Sequence, residues 1–462
     1  MTQQSGDTIA AIATARGRAA LAIVRLSGPQ ALAIAARSFR GEDLLHALSH
    51  TVHVGMWKAP DGAEIDQVVA TIFRAPRSAT GEDVIEISCH GGDYASARIL
   101  ESLVVGGARI AEPGEFTQRA FLNGKMDLAQ AEAVADLIHA SSSLAHRVSV
   151  AHLQGRYSEQ LTALRDTLLN VCALAELEID FAGEDVEFAD RADLYRLLDQ
   201  ADELLSLSVD SYELGVLVRE GVRVAIGGRP NAGKSTLLNA LVGHDRAIVS
   251  AKPGTTRDTI EVDTEIDGIQ FRFTDTAGLR DTAHMIEAEG VERAQRTIRE
   301  ARVILYVYDV SLGLEGQERR YLEHLITHEE ARLIVVGNKT DLVAEGYVPE
   351  FCLAPVVALS AVRARRNPGL LLKLQRELAR AALGNIHDAD ASRLVTNQRH
   401  RQHMQSALEA VRGARKSMET GVSNDLFTLD IRKAMHDIGA IIGAVTNEDV
   451  LDQIFSRFCI GK

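Results

Sequence analysis

The sequence predicts a multidomain protein of mixed α/β and α+β class. It has an N-terminal α+β domain, a helical domain in two parts, and an α/β domain inserted between those parts. Three observations support this. Short strand and helix patterns alternate up to about residue 122, helical spacing begins near residue 126 and returns from residue 397, and a strand, a glycine-bounded loop and a helix follow one another over residues 222–241. Such an insertion requires only that its entry and exit points lie close together in the host domain.

The N-terminal segment contains three apolar runs typical of strands, at residues 21–26, 68–73 and 84–88. Between them, residues 29–39 and 93–106 have the composition and spacing of helices. The alternation of these elements indicates the α+β domain.

The next segment has the spacing of long helices. Apolar side chains recur in steps of three and four residues, which places them along one face of a helix. These side chains are Leu161, Leu164, Leu168, Val171 and Ala175. The acidic stretch at residues 180–185 interrupts the pattern, and residues 194–209 form another helix. The predicted domains are 1–122 (N-terminal), 123–217 and 384–462 (the two helical parts), and 218–383 (inserted).

Residues 228–235 read Gly-Arg-Pro-Asn-Ala-Gly-Lys-Ser and lie between an apolar run and a helical segment. This is the P-loop pattern in its required strand–loop–helix context. Backbone N–H groups and the helix N-terminus bind phosphate oxygens, Lys234 reaches the β- and γ-phosphates, and the Ser235 hydroxyl ligates Mg²⁺. The predicted contacts from this segment are Asn231, Ala232, Gly233, Lys234, Ser235 and Thr236.

Residues 338–341 read Asn-Lys-Thr-Asp and follow the apolar run 333–337. At the C-terminal edge of a strand, Asp341 can accept hydrogen bonds from the N1–H and 2-amino groups of guanine, a donor pair that adenine lacks. The nucleotide is therefore predicted to be GTP. The predicted guanine contacts are Asn338, Lys339, Asp341, Ser360, Ala361 and Val362. These motifs resemble those of the translation-factor-like GTPases.

Two further segments match the switch regions of such GTPases. In residues 255–258, Thr256 is predicted to ligate Mg²⁺, and in residues 275–278, Asp275 is predicted to hold the water shell of that ion. The predicted nucleotide contacts here are Ser250, Ala251, Lys252, Pro253, Gly254, Thr255, Thr256, Asp275, Thr276, Ala277 and Gly278.

The water-orienting position departs from the Ras-like pattern, in which glutamine follows the Asp-x-x-Gly motif. Here that position is Leu279, whose aliphatic side chain cannot hydrogen-bond a water molecule. Three downstream carboxylates, Glu287, Glu289 and Glu292, are each candidates for the role. All three are equally compatible with the solvated face of a helix.

The combined motifs resemble the bacterial tRNA-modification GTPases of the MnmE (TrmE) type. The matching segments span essentially the whole chain: residues 113–116, 120–123, 228–235, 254–258, 275–280 and 458–462, the last reading Phe-Cys-Ile-Gly-Lys. The resemblance implies a potassium-stimulated GTPase that is activated by dimerisation of its G domains. It places Asn231, Lys234 and the water-orienting Glu287 in the catalytic centre. It also implies that K⁺ takes the place of an arginine finger. The ligands would be Asn231 and the main chain of Ser250, Lys252 and Thr255.

The same resemblance assigns a folate site to the N-terminal domain, which is expected to be similar to tetrahydrofolate-binding aminomethyltransferase domains. The implied ligand is 5-formyl- or methylene-tetrahydrofolate, and the implied contacts are Arg25, Glu86, Lys125 and Lys462. Considered alone, these charges are ordinary ion-pair or surface residues.

The family further implies a homodimer that acts with an FAD-dependent partner, MnmG (GidA), in a heterotetramer or a larger complex. The implied reaction adds a carboxymethylaminomethyl or aminomethyl group at C5 of the wobble uridine, position 34, of certain tRNAs. The folate would supply a one-carbon unit.

Composition sets limits on these expectations. The net charge is −14 and the isoelectric point is about 5.6, so any tRNA contact must come from local patches or from a partner protein. Cys89, Cys172, Cys352 and Cys459 have no metal-like spacing, and no signal peptide or membrane span is predicted, so a cytoplasmic protein with reduced thiols is expected. We interpret residues 90–92, His-Gly-Gly, as a turn, and the role of Cys459 stays open.

Two other functions share part of this pattern. A ribosome-assembly GTPase of the Era or Der type has the same G-domain motifs, but carries a basic G-x-x-G loop in an RNA-binding module after the G domain. The segment after residue 383 is instead helical and ends Cys-Ile-Gly-Lys. The third possibility is a folate-binding scaffold whose GTPase only regulates assembly.

Overall fold

The structure is a computed structural model. It describes residues 6–180, 191–243, 261–275, 296–328, 331–344, 351, 353–384, 390–420 and 424–461. The chain forms two compact units. The first comprises residues 1–135, 152–190 and 416–462, and the second comprises residues 136–151 and 191–415.

The first unit contains a seven-stranded sheet. Its strands are β1 Ile9–Ile12, β2 Leu21–Ser27, β3 Phe39–Arg40, β4 Thr51–Lys58, β5 Glu64–Phe73, β6 Val84–His90 and β7 Arg109–Ile110. The strand order is β3-β4-β5-β6-β2-β1-β7. All neighbouring pairs are antiparallel except β1 and β7. Helices α1 Ala31–Ser38 and α2 Asp93–Val105 belong to the same unit.

One face of this sheet is buried. The opposite face, called here the open face, is exposed along β4 but buried at β1, where Ile9 and Ala11 cluster with Phe116. Along β2, alternate residues such as Val24 and Leu26 join the buried core together with residues of α1 and α2. Trp57, which is the only tryptophan of the chain, is fully buried in this core. On β4, Val52 and Val54 are 61% exposed. The predicted strands and helices of this domain are present. Strands β1, β3, β4 and β7 were not predicted.

The segments with helical spacing in the sequence form helices in the structure. They are α3 Glu115–Leu122, α4 Leu128–His139, α5 Ser143–Leu153, α6 Arg156–Asp180, α7 Arg191–Asp210, α8 Tyr212–Glu220, α9 Lys234–Val242, α10 Gly316–His328, α11 Ala361–Ala364, α12 Leu372–Leu383, α13 Gln398–Thr420, α14 Asn424–Ile442 and α15 Glu448–Phe455. Residues 296–300 are also helical. In the first unit α6 packs along α14, and the five seam residues predicted on α6 are all buried.

The second unit is built on a six-stranded sheet. Its strands are β8 Val222–Gly227, β9 Glu261–Ile266, β10 Ile269–Asp275, β11 Val303–Asp309, β12 Arg332–Asn338 and β13 Val356–Ala358. The order is β13-β12-β11-β8-β10-β9, and all neighbours are parallel except β9 and β10. Strands β8, β11 and β12 are nearly continuous apolar runs because helices cover both faces of a parallel sheet.

The predicted fold class is confirmed: an α+β domain, helices and a Ras-like α/β sheet occur in one chain. The domain bounds at residues 122, 217 and 383 stay predictions. Among the described residues, no helix has both the length and the apolar character needed to cross a membrane.

Candidate nucleotide-binding site

Four predicted segments meet at one edge of the six-stranded sheet. The P-loop follows β8, residues 338–341 follow β12, and residues 360–362 follow β13. Because these strands are parallel, their C-terminal ends lie at the same edge, which is where open α/β sheets bind ligands. The backbone of Asp275 pairs with that of Ile226 at the end of β8, so the second switch region also begins there.

The P-loop leaves no room for side chains at its two outer glycines. Gly228 has a φ of 134°, and a Cβ atom on it would lie 2.0 Å from the carbonyl oxygen of Val307. Gly233 has a φ of 93°, and its Cβ atom would lie 2.2 Å from the amide nitrogen of Asn338. Both positions therefore require glycine, for backbone conformation and for space.

Lys234 is the first residue of α9 and is buried. Its Nζ donates to the carbonyl oxygens of Gly228 at 2.9 Å and of Arg229 at 2.8 Å. The ammonium group therefore lies over the loop, within reach of phosphates bound at the N-terminus of α9. Ser235 follows it and is exposed, so its hydroxyl is accessible to a metal ion.

Asn231 adopts the left-handed conformation, with a φ of 61°. Its side chain is exposed, and its amide makes no hydrogen bond with another described residue. An amide oxygen is a suitable ligand for a hard cation. The geometry of Asn231 is therefore compatible with both interpretations, a cation ligand and a simple turn residue.

A single buried amide connects the three nucleotide loops. Asn338 is 2% exposed, and its Nδ2 donates to the carbonyl oxygen of Ala232 in the P-loop at 2.8 Å. Its Oδ1 accepts from the backbone N–H of Ala361 at 2.9 Å. The buried Ser360 caps α11 by accepting from the backbone N–H of Arg363, while Val362 is exposed. Asn338 thus has a structural role that links the loops.

Asp341 has the geometry expected of a guanine-binding carboxylate. It lies in a single 3₁₀ turn, Thr340–Leu342, after β12. Its Oδ1 is buried and has no hydrogen-bond partner among the described residues. A buried acceptor without a partner is costly, by about 1–3 kcal/mol, unless a ligand supplies the donor. Bound guanine would supply two.

The preceding residue, Lys339, is held in place by an ion pair. Its φ is 66°, and its Nζ lies 2.7 Å from Oδ2 of Asp309 at the end of β11. Burial alone would raise the pKa of Asp309, but hydrogen bonds from Lys339 and Ser311 outweigh burial and lower this pKa below its ordinary value. Asp309 therefore stays ionised and fixes the guanine-binding loop.

A cluster that the sequence interpretation missed holds the start of the P-loop. The guanidinium of Arg229 lies 2.9 Å from Glu315 and pairs with Glu318 at the beginning of α10. The hydroxyl of Tyr306 on β11 donates to Glu318 at 2.7 Å. Burial, and then this hydrogen bond, raise the pKa of Tyr306 above its ordinary value. No local motif marks this cluster, because its members come from three separate elements.

Several predicted residues lie outside the described part of the chain. They are Ser250, Ala251, Lys252, Pro253, Gly254, Thr255, Thr256, Thr276, Ala277, Gly278, Glu287, Glu289 and Glu292. The side chain of Asp275 is also outside it. Their roles stay predictions.

Comparison with known proteins gives the family. Residues 8–125 match the model described as the GTP-binding protein TrmE N-terminus, and residues 128–459 match the MnmE helical domain. A "tRNA modification GTPase MnmE" of Salinibacter ruber is 59% identical over 457 residues, which cover 99% of each chain. The chain belongs to the MnmE family.

Other MnmE proteins match over nearly their full length. That of Chlorobium luteolum is 45% identical over 100% of this chain and 98% of its own, and that of Moorella thermoacetica is 43% identical over 99% of each. A solved structure of Era in complex with MgGDPNP and 16S ribosomal RNA nucleotides is 31% identical. It covers 34% of this chain and 56% of its own, with a TM-score of 0.26.

The folate contacts implied by the MnmE family lie partly together. Arg25 on β2 and Glu86 on β6 are cross-strand neighbours on the open face of the N-terminal sheet, and Arg25 Nη2 lies 2.6 Å from Glu86 Oε1. The Arg25 guanidinium also lies over the ring of Phe116, at 5.7 Å from its centroid. Lys125 is exposed, and its Nζ donates to the carbonyl oxygen of Pro76 at 3.1 Å.

The C-terminal residues return to this domain. Ile460 forms a bridge with Pro113, and a Cβ atom on Gly461 would lie 2.5 Å from the carbonyl oxygen of Ile12 on β1. Ile12 pairs with Val24, the residue before Arg25. Lys462 itself lies outside the described residues.

Two minor features of the sequence now have a structural context. His90 is the last residue of β6, its Nδ1 lies 2.7 Å from Oδ1 of Asp66, and Gly91 and Gly92 connect this strand to α2. Cys89 and Cys172 are buried, whereas Cys459 is exposed. Burial raises the pKa of the Cys89 thiol.

Proposed function

We propose that this protein hydrolyses GTP as part of a reaction that modifies C5 of the wobble uridine, position 34, of tRNA. The observation that carries the nucleotide assignment is the buried Oδ1 of Asp341, at the sheet edge that also holds the P-loop. Within the described part of the chain, this oxygen has no hydrogen-bond partner. Membership of a family whose relatives are named tRNA modification GTPases supports the substrate.

Guanine selectivity follows from the chemistry of Asp341. A carboxylate accepts the N1–H and 2-amino donors of guanine, whereas adenine presents an acceptor at N1. A base that cannot satisfy a buried acceptor is strongly disfavoured, because the desolvation cost of that group is not recovered. Asn338 connects this loop to the P-loop, so base and phosphates are held in a fixed relation.

The residues of the P-loop fit a catalytic centre for phosphoryl transfer. Lys234 would hold the β- and γ-phosphates, Ser235 and Thr256 would ligate Mg²⁺, and Glu287 would orient the attacking water. Asn231, together with the main chain of Ser250, Lys252 and Thr255, would hold K⁺. When bound, these cations neutralise the charge that develops on the phosphates during cleavage.

The N-terminal domain would bind 5-formyl- or methylene-tetrahydrofolate on its open sheet face. Glu86 can accept from the amino and ring N–H groups of the pterin, and Arg25 can pair with a ligand carboxylate. Lys125 and Lys462 are the further cations assigned by the family. The arrival of the C-terminal residues beside β1 supports a contribution from Lys462. The folate would supply the one-carbon unit of the new group.

The open face of the N-terminal sheet also fits a homodimer. Leu21, Val52 and Val54 expose about 60% of their surface there, on the same face as Arg25 and Glu86. Large apolar side chains that are exposed on one face of a sheet suit an interaction with a partner. We propose that the homodimer acts with the FAD-dependent MnmG, since the described part of this chain shows no dinucleotide-binding pattern of its own.

Nucleoside analysis of tRNA tests the whole proposal. Cells that lack this protein should accumulate wobble uridine without the aminomethyl-type group, and wild-type protein should restore it. A variant that binds folate but cannot hydrolyse GTP, such as Glu287→Ala, should fail to restore it. Full restoration by that variant would favour the regulatory scaffold, and unaltered uridine in the deletion strain would contradict the proposal.

A further inference from the structure

A strongly basic segment follows the guanine-binding loop. It consists of α11, the 3₁₀ turn Pro368–Leu371 and α12. Over residues 361–383 the chain carries six cationic side chains: Arg363, Arg365, Arg366, Lys373, Arg376 and Arg380. The only carboxylate in this segment is Glu377. In a chain of net charge −14, this is a local excess of positive charge. We refer to these six side chains as the basic surface.

The basic surface is neither buried nor neutralised by its described neighbours. All six side chains are exposed, and none forms an ion pair with another described residue. Some exposed arginines elsewhere are paired, such as Arg196 with Asp193 and Arg412 with Asp202, while others, such as Arg77, have no ion pair with a described residue. The basic surface differs from both in its density of charge, because six exposed cations accompany a single carboxylate over residues 361–383. Such a concentration of positive charge suits an anionic partner.

The geometry of α12 presents three of these cations in line. Lys373, Arg376 and Arg380 are spaced by three and four residues, which places them on one face of the helix. Leu374 and Leu378 on the opposite face are fully buried in the core of the second unit. The stripe from residue 373 to residue 380 is about 10 Å long, at 1.5 Å per residue. It is therefore a fixed row of charges on a rigid element.

We propose that the basic surface binds the phosphate backbone of the tRNA substrate. This inference rests on the proposed function. Because the chain as a whole is acidic, tRNA contact by the chain itself requires a local basic patch, and the basic surface is such a patch. Arginine is suited to phosphate because its guanidinium donates two parallel hydrogen bonds. Structured RNA is recognised mostly through its shape, its phosphates and its 2′-hydroxyl groups, which a row of cations on a helix can contact.

A membrane surface is a poorer fit than RNA. A helix that lies on a bilayer inserts its apolar face between the lipids. The apolar face of α12 is already buried in the protein, so it is not available for insertion. Val362, Leu370 and Leu372 are exposed near the stripe, and Leu372 lies one helical turn before Arg376. Docking of an acidic protein is therefore the outcome that competes with RNA.

The test compares two triple variants of the full-length protein. The first, Lys373→Gln with Arg376→Gln and Arg380→Gln, removes the stripe. The control, Arg98→Gln with Arg196→Gln and Arg412→Gln, removes the same charge from paired arginines outside this segment. Binding of an unmodified tRNA transcript is measured over a series of salt concentrations. GTP hydrolysis is measured in parallel and should be equal in wild type and both variants, because none of these residues lies in the nucleotide site.

The stripe variant should bind tRNA about tenfold more weakly near 0.1 M salt, and its slope of log affinity against log salt should fall by about 2. The control should match wild type. Equal affinities and slopes in the two variants would overturn the proposal. It would also be overturned if tRNA binding were unchanged while assembly with a protein partner was lost. If wild type binds no tRNA while wobble uridine still depends on the protein, the proposed function stands and the basic surface is not its tRNA contact.

Discussion

The nucleotide site and the Arg25–Glu86 site differ in whether their polar side chains have partners within the protein. At the nucleotide site, the structure fixes the loops around Asp341 and leaves its buried Oδ1 without a partner among the residues that it describes. On the N-terminal sheet, Arg25 and Glu86 satisfy each other at 2.6 Å. The first arrangement is complete only when a ligand binds, whereas the second is stable without one.

This difference has a consequence for mutation. Replacing Asp341 should change nucleotide binding with little effect on folding, because its buried Oδ1 has no partner among the described residues. Replacing one member of the Arg25–Glu86 pair releases the other, so the effects on folding and on binding have to be separated. Trp57 allows this, since the single tryptophan of the chain is buried in the N-terminal sheet and reports its unfolding.

The largest effect is expected for Glu287→Ala. Loss of the group that orients the attacking water should lower GTP turnover by about 10²–10⁴-fold and leave GTP affinity unchanged. Single-turnover hydrolysis and equilibrium binding measure the two quantities. Glu289→Ala and Glu292→Ala are the matched controls. If one of them, and not Glu287→Ala, abolishes turnover, the assignment passes to that residue.

Replacing K⁺ by Na⁺ should slow hydrolysis at least about tenfold if, as we propose, a cation held by Asn231 takes the place of an arginine finger. Asn231→Gly is the informative variant, because glycine keeps the left-handed conformation while the amide ligand is removed. It should hydrolyse GTP at the same low rate in both salts. Equal wild-type rates in the two salts would exclude the cation site.

On the N-terminal sheet, Glu86→Gln should weaken binding of 5-formyl-tetrahydrofolate by about tenfold, as expected for loss of a charge-assisted hydrogen bond. The free energy of unfolding, followed by Trp57 fluorescence, should change by less than about 1 kcal/mol, because the Arg25–Glu86 pair is partly exposed. Lys58→Gln, which breaks the ion pair with Glu64 on the same sheet, is the control and should not affect folate. Unchanged folate affinity in Glu86→Gln would remove this residue from the site.

The smallest expected effect is a loss of N-terminal stability in acid. Burial would raise the pKa values of Asp7 and Glu115, but hydrogen bonds from Arg109 and Arg119 lower both below the ordinary values of 3.8 and 4.5. A lowered folded-state pKa contributes stability above the ordinary value, and this contribution is lost as the pH falls through the folded-state value. The free energy of unfolding, measured with urea and Trp57 fluorescence, should therefore fall below about pH 4.5. In Glu115→Gln this free energy should depend less on pH. A free energy of unfolding that rises as the pH falls would contradict the lowered pKa values of Asp7 and Glu115.

The two sites also differ in how far the sequence could predict them. The P-loop, Asn338 and Asp341 are short segments placed by the ends of buried strands, so their motifs predicted both position and chemistry. The pairing of Arg25 with Glu86 joins residues 61 positions apart and follows from strand register, which spacing does not reveal. Only the family resemblance brought these two residues together.

There is a physical reason why the sequence did not predict strand β4. It reads Thr-Val-His-Val-Gly-Met-Trp-Lys, and its glycine and histidine weaken the strand signal. The structure requires that glycine, because a Cβ atom on Gly55 would lie 2.4 Å from the ring of Phe39. The cluster in which Arg229 and Tyr306 both contact Glu318 was missed for a related reason, since it depends on how β8, β11 and α10 are arranged.

The nucleotide preference of Asp341→Asn tests the central claim most directly. Xanthine carries a carbonyl oxygen where guanine carries its 2-amino group, so it needs a donor, which the asparagine amide supplies. The variant should bind GTP about 10–100-fold more weakly than wild type and should gain affinity for xanthosine triphosphate, with the phosphate contacts intact. Unchanged GTP affinity, or no gain for the xanthine nucleotide, would contradict the assignment of this buried carboxylate to guanine.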